Sequence, residues 1–314
     1  MPDDVVTAPP ETPHETGPVT VLVDPAEAWE SGPPVVASLS PSRAGDFMTC
    51  PLLYRFRVVD RIPERPSPAA VRGTVVHQVL EDLFDLPAAE RTVERAAAML
   101  PAAWDQVQAD EVDLAAALFD TAEDAQEWLD SAVPLLETYF RLEDPTTLEP
   151  AERELRVETT LDDGLVLRGF VDRLDRNAAG DTRVVDYKTG KAPGEGYEQK
   201  ALFQMRFYAL VLWRATGVVP RQLQLLYLGN ELVLRHSPDV DELLATERKV
   251  KALWAAIARA HETGEWRPSP SRLCDWCDHK SRCPAFGGTP PPLPGRPAEA
   301  VALGTAAAED LTAG

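Results

Sequence analysis

Asp172, Asp186 and Lys188 are the residues of this 314-residue chain whose types and spacing best suit chemistry. They lie in Gly169-Phe-Val-Asp172-Arg-Leu-Asp175 and in Val184-Val-Asp186-Tyr-Lys188-Thr-Gly190. Side chains alternate between the faces of a strand, so Asp186 and Lys188 point one way and Tyr187 the other. Asp172, on a preceding strand, can stand beside Asp186 across a hairpin. Two carboxylates and an ammonium would then converge at one end of a sheet. Carboxylate oxygens are hard ligands suited to Mg²⁺ or Mn²⁺. A neighbouring ammonium can orient an attacking water or steady charge on a phosphate, as metal-assisted phosphodiester hydrolysis requires. The competing reading is two surface strands with solvated charges. His77 and Glu81, four apart, share one face of a helix. His77 could complete a metal's coordination from outside the sheet. Glu81 could approach the same metal or pair with a nearby arginine.

The four cysteines form a second constellation. Cys50 stands alone before Pro51, and the others follow as Cys274-x2-Cys277-x5-Cys283. Four cysteines are too few for a disulfide scaffold in a chain this long. Four thiolates could ligate one [4Fe–4S] cluster. The alternative is structural zinc in a Cys₄ or Cys₃His site, with His279 as a ligand.

The surrounding pattern predicts the elements that must position these groups. Ser40-Pro41 reads as a helix start, with the helix running to about Cys50. Val75, Val76, Val79, Leu80, Leu83 and Phe84 give residues 69–86 a helical stripe, and two further helices are expected near 90–108 and 121–141. Strands are expected over 153–161 and 165–175, about a turn at Asp162-Asp163-Gly164, and over 182–188. A helix over 199–216, strands over 221–228 and 231–236, and a long helix over 240–264 complete the order. It predicts an α/β fold: a mixed sheet flanked by helices, with a helical N-terminal lobe inserted before it.

Composition bounds the rest. The formal net charge is −20. Residues 1–37 hold seven acidic residues, eight prolines and no Lys or Arg. The Pro/Ala-rich stretch 287–314 holds three acidic residues and one Arg. Both read as disordered tails around a folded body over 38–286. That body keeps 41 acidic against 30 basic residues, so nucleic acid would have to bind a local basic patch. No apolar run approaches the roughly 18 residues of a membrane span. There is no secretory signal pattern, so the expected location is the cytoplasm. Walker A, G-x-S-x-G and H-E-x-x-H motifs are absent. The segment Tyr54-Arg55-Phe56-Arg57 stays open between touching DNA and packing beside the cysteines.

Four motifs resemble the RecB-like branch of the PD-(D/E)XK nuclease superfamily. They are RG-x-x-V-H-x-x-L-E at 72–81, G-x-x-D-R-L-D at 169–175, D-Y-K-T-G at 186–190, and Gln204-x-x-x-Tyr208. They stand in family order and span most of 38–286. The resemblance implies a restriction-endonuclease-like sheet. It implies that His77, Asp172, Asp186 and the Tyr187 carbonyl bind a divalent metal and that Lys188 is catalytic. It implies a DNA-side role for Gln204 and Tyr208, with helix packing as the alternative for Tyr208. Asp186 stands where many relatives carry Glu, and both types bind hard metals. The cysteines resemble the iron–sulfur staple of AddB-type helicase-nucleases and CRISPR-associated RecB-like nucleases. There one cysteine precedes the core and three follow it, tying the two ends of the fold together. The implied activity is that of a metal-dependent deoxyribonuclease, an exonuclease acting on single-stranded DNA ends in repair or recombination. A helicase or repair complex is the implied partner. Two alternatives stand beside it: a non-catalytic iron–sulfur DNA-binding or adaptor subunit, and a CRISPR adaptation nuclease.

Overall fold

The computed structural model describes residues 38–110, 113–192, 194 and 198–293. The expected tail over 1–37, and residues 294–314 of the other, lie outside the described residues. The body opens with a two-residue strand, β1 (Ser38–Leu39), and helix α1 (Pro41–Thr49). Ser40 caps α1, its hydroxyl accepting the Arg43 N–H at 3.3 Å, with Pro41 opening the first turn where no donor is needed. A short helix α2 (Pro51–Tyr54) and a π turn over Arg55–Val59 follow.

The helical lobe comprises α3 (Pro68–Asp82), α4 (Val93–Asp110), α5 (Leu114–Leu118), α6 (Ala122–Asp130) and α7 (Val133–Leu142). α3 starts on Ser67 and Pro68 and buries Val75, Val76, Val79 and Leu80. The single helix expected over 121–141 is two helices. Pro134 lies in the first turn of α7, where its missing N–H cannot extend α6.

Six strands form one mixed sheet: β1, β2 (Pro150–Thr160), β3 (Val166–Arg176), β4 (Thr182–Lys188), β5 (Gln222–Tyr227) and β6 (Leu232–His236). It is a restriction-endonuclease-like arrangement. Helices α8 (Glu198–Thr216) and α9 (Val240–Thr263) complete the list. Leu167, Val171, Val184, Leu223 and Leu225 bury one face against α8 and α9. Val185, Tyr187 and Leu226 bury the other against the lobe.

One edge of β3 is taken along its length by antiparallel β2. Its other edge is shared. Parallel β1 pairs with Val166 and Leu167, and antiparallel β4 pairs with Arg173 to Arg176. The β3–β4 ladder therefore ends at Arg173↔Val185, and β4 continues to Lys188 paired only with parallel β5. This fork lies one residue short of Asp172 and Asp186.

Beyond α9 the described residues hold only short 3-10 turns at Arg272–Trp276, Lys280–Arg282 and Pro284–Phe286. Residues 287–293, which composition assigns to the tail, lie against the body. The Arg55 guanidinium donates to the Pro291 carbonyl at 2.5 Å, and Leu293 packs on the core. Among the described residues no helix is long and apolar enough to cross a membrane.

Candidate active site

The fork leaves backbone groups without ladder partners, and the acidic side chains take them up. The Tyr187 N–H donates to Asp172 Oδ2 at 2.7 Å. The Tyr187 carbonyl accepts from His77 Nε2, on α3, at 3.0 Å. His77 Nδ1 stands 3.5 Å from Asp172 Oδ2. The helical lobe thus delivers its one site histidine to the mouth of the fork.

On the α8 side, Asp186 is 2% exposed and lies 2.6 Å from Lys188 Nζ. Gln204 ties the two together. Its amide nitrogen donates to Asp186 Oδ1 at 2.9 Å, and its carbonyl oxygen accepts from Lys188 Nζ at 3.0 Å. The same amide reaches the Tyr208 hydroxyl at 3.2 Å. Tyr208 is buried against Gly169, where a Cβ would come within 2.6 Å of its ring. Only glycine leaves room for that ring beneath the strand. Gln204 and Tyr208 therefore stand behind the carboxylates. Tyr187 points to the opposite face, its hydroxyl accepting from Arg173 at 2.8 Å. Arg173 is 1% exposed and is paired with Glu143 at 2.8 Å and Asp175 at 3.0 Å, so its buried charge is compensated.

Glu154 is the group the motifs do not contain. The register sets it opposite Asp172, between Arg153↔Arg173 and Leu155↔Val171. In both strands the face alternation slips here. Leu155 and Val171 pack on the α8 side. Arg153 reaches Asp85 at 2.6 Å and Arg173 reaches Tyr139 at 3.4 Å, both toward the lobe. Glu154 absorbs the slip with φ of 42°, a conformation rare outside glycine and concentrated at functional sites. His77, Glu154 and Asp172 each offer a ligand atom, and all three atoms lie within 4.8 Å of one another. Glu81 sits further back, taking the Gln78 amide at 3.5 Å. Its backbone carbonyl, rather than its carboxylate, meets Arg153.

The electrostatics describe a site shaped for a cation. Burial pushes the Glu154 carboxyl up to about 7, and the Glu81 and Asp186 charges add to it. Burial and then Asp186 raise the Asp172 carboxyl well above its ordinary range, against the pull of the Tyr187 N–H. Burial lowers His77, with Lys188 adding, so a neutral imidazole is available as a ligand. Burial alone would pull the Lys188 ammonium down, but Asp186 more than offsets it. Crowded carboxylates beside a neutral imidazole repel one another until a positive ion enters. Hard oxygens with one imidazole fit a divalent metal.

Residues 38–284 match the PD-(D/E)XK nuclease superfamily. The chain belongs to this superfamily, whose nucleases use divalent metals. Two phage proteins are similar to it. The Gene 69 protein of Mycobacterium phage D29 is 23% identical over 268 residues, covering 79% of this chain and 96% of that protein. Its namesake in Mycobacterium phage L5 is 27% identical over 127 residues, 40% of this chain and 41% of that protein. A solved structure from Eubacterium rectale, described as a candidate exonuclease, shares the fold. Its TM-score is 0.54 at 15% identity, over 94% of this chain and 100% of that one.

A second group of this nuclease-family chain gathers where the segment after α1 meets the segment after α9. Cys50, Cys274, Cys277 and Cys283 line one pocket with Phe56 and His279. All four are free and half-buried. The N–H groups of Ser269 and Ser271 point at Cys50 Sγ (3.4 Å) and Cys274 Sγ (3.3 Å). Burial pushes the Cys277 thiol up, and Cys274 and Cys50 add to this. His279 is buried, with Nε2 2.8 Å from Glu64. Arg55 and Phe56 turn inward here, Arg55 pairing with Asp60 at 2.9 Å and Phe56 packing on His279. That segment packs beside the cysteines.

Proposed function

We propose that the protein is a metal-dependent deoxyribonuclease, an exonuclease that shortens single-stranded DNA ends in repair or recombination. The convergence of His77, Glu154 and Asp172 beside the Asp186–Lys188 pair carries this reading. The candidate-exonuclease description of the Eubacterium rectale protein agrees with it. His77, Asp172, Asp186 and the Tyr187 carbonyl would hold Mg²⁺ or Mn²⁺, with Glu154 beside them. When bound, the cation supplies Lewis-acid stabilisation of the phosphate and acidifies water. Lys188, fixed between Asp186 and Gln204, donates to the attacking water and orients it. Gln204 holds both charged groups in register, and Tyr208 buttresses Gln204. The protein would work in the cytoplasm alongside a helicase or repair complex, which would supply the strand ends.

The cysteine pocket, in this reading, holds a [4Fe–4S] cluster on Cys50, Cys274, Cys277 and Cys283. Backbone N–H groups aimed at sulfur are a usual feature of such sites. The four thiolates are the ligand set of this reading, and the buried His279 nitrogens, which make no hydrogen bond among the described residues, keep Cys₃His zinc as its alternative.

Single-stranded DNA labelled at either end, incubated with anaerobically purified protein and Mg²⁺ or Mn²⁺, tests the activity. Stepwise shortening is expected from one end, with loss in Lys188→Ala and Mn²⁺ binding retained in that variant. No digestion of any DNA with either metal would overturn the assignment. About four irons per chain are expected from the same preparation. Stoichiometric zinc without iron would make the pocket a Cys₄ zinc site.

A further inference from the structure

Phe170 is 51% exposed, two residues from Asp172. Its neighbours Gly169 and Val171 face α8, so Phe170 and Arg168 project on the other side, the one from which His77 reaches the site. Arg156 stands directly across from Phe170 on β2, paired with Glu158 at 3.0 Å. This stretch of β3, residues 168–172, is the one with no strand on its second edge. Arg43 of α1, Arg61 after the π turn, and Arg168 gather beside it. Burial lowers the Arg43 guanidinium, and Arg168 and Arg61 add to that. Arg43 donates to the Ser38 carbonyl and hydroxyl. None of the three makes an ion pair among the described residues. In a chain of net charge −20, three arginines without an ion pair beside an exposed aromatic ring make a local basic patch suited to an anionic occupant.

We infer that the strand being cut runs over this open face: a base stacks on Phe170 and the flanking phosphates lie against Arg43, Arg61 and Arg168. The inference rests on the nuclease reading and names its substrate as unpaired nucleic acid, because a stacked base pair offers no free π-face to a side chain. Stacking is tolerant of sequence, since every base has such a face, and an arginine cluster follows the backbone regardless of sequence. Continuity does the rest. A strand crossing Phe170 arrives at Asp172 within two residues of sheet, about 7 Å.

Fluorescence polarisation of a labelled oligothymidylate in Ca²⁺ buffer, on the full chain, tests the path. Phe170→Ala should weaken binding about fivefold or more, and Phe170→Trp should restore it. Both should melt as the wild type does, since the ring is exposed. Arg61→Gln and Arg168→Gln should each make the plot of log affinity against log salt shallower by about 0.7. If Phe170→Ala binds as the wild type does while the wild type cuts DNA, the path is wrong and the nuclease reading stands. Equal weakening on blunt duplex would also overturn it, because the ring would then be a general contact. A wild type that neither binds nor cuts nucleic acid overturns both readings.

Discussion

The fork and the cysteine pocket are assembled in opposite ways. At the fork, the site residues ride on neighbouring strands and one packed helix, and ladder hydrogen bonds, Arg173 and Gln204 fix each of them. Charges there crowd one another, which lowers stability, but the ladders and the packed helix hold the scaffold. The cysteine pocket joins Cys50 to a stretch more than 200 residues away that contains only short 3-10 turns. Little secondary structure holds that stretch, so in the proposed reading the group its sulfurs ligate would hold it. Loss of a group at the fork should therefore remove chemistry and spare the fold, and loss of a group at the pocket should do the reverse.

The sharpest break of that contrast is at Asp186. Asp186→Ala should reduce cleavage on the order of a thousandfold or more, since it removes a ligand and the anchor of Lys188 together. Its far-UV circular dichroism and melting point should stay near wild type. Near wild-type cleavage by the purified variant would sink the proposed site. On the other side of the comparison, Cys50→Ser and Cys277→Ser should lower the melting point by similar amounts, on the order of 10 °C. Activity should fall in proportion to unfolded protein and recover at lower temperature. Pairwise effects, with reductant destabilising the wild type, would point instead to disulfides.

Glu154 sharpens the comparison at smaller scale. Its carboxyl is raised from 4.5 to about 7 in the fold, so the folded state binds the proton more tightly than the unfolded chain does. Stability of the metal-free protein must then fall as pH rises from about 4.5 to 7, and level off above. Asp172 adds in the same direction. Glu154→Gln should flatten that fall, melting a few degrees above wild type at pH 8 without metal. Mn²⁺ should erase the advantage, because a cation relieves the same repulsion. Identical melting curves against pH for variant and wild type would remove Glu154 from the site.

Much of this was legible in the sequence. The strands and long helices fall within a few residues of their expected bounds, because periodicity and the Asp162-Asp163-Gly164 turn punctuate them. Two-residue β1 was not legible, since its pairing with β3 is non-local and too short to carry a period. The α6–α7 break was legible only from Pro134. Glu154 could have been found by counting: a turn centred on Asp163 sets the residue nine before it opposite Asp172, nine after. What counting could not supply is the slip that turns both carboxylates into the site. It depends on a left-handed glutamate, and no residue type announces one. Cysteine spacing similarly predicted a shared pocket but not its lining by Phe56 and His279.

The smallest effect concerns where the pocket region ends. Composition draws the boundary at 286, among prolines that suggest an unstructured tail. Seven more residues lie on the body, and their docking has a physical anchor. Arg55 is buried, and its charge is met by Asp60, but one guanidinium nitrogen is satisfied by the Pro291 carbonyl. Gly287 makes the left-handed turn that delivers it (φ 80°), and Gly288 packs so closely on Ser281 to Cys283 that a Cβ would come within 2.3 Å of backbone. A fragment of 38–286 would leave that buried donor unpaired, which costs about 1–3 kcal/mol, and would uncover the core beneath Leu293. A fragment of 38–293 would not. The longer fragment should therefore melt with the full chain, and the shorter one roughly 3–10 °C lower. Because Arg55 lies five residues from Cys50, the shorter fragment should also lose iron faster to a chelator, with cleavage per folded molecule unchanged. Equal melting and equal iron retention in the two fragments would show that 287–293 contributes nothing to the pocket.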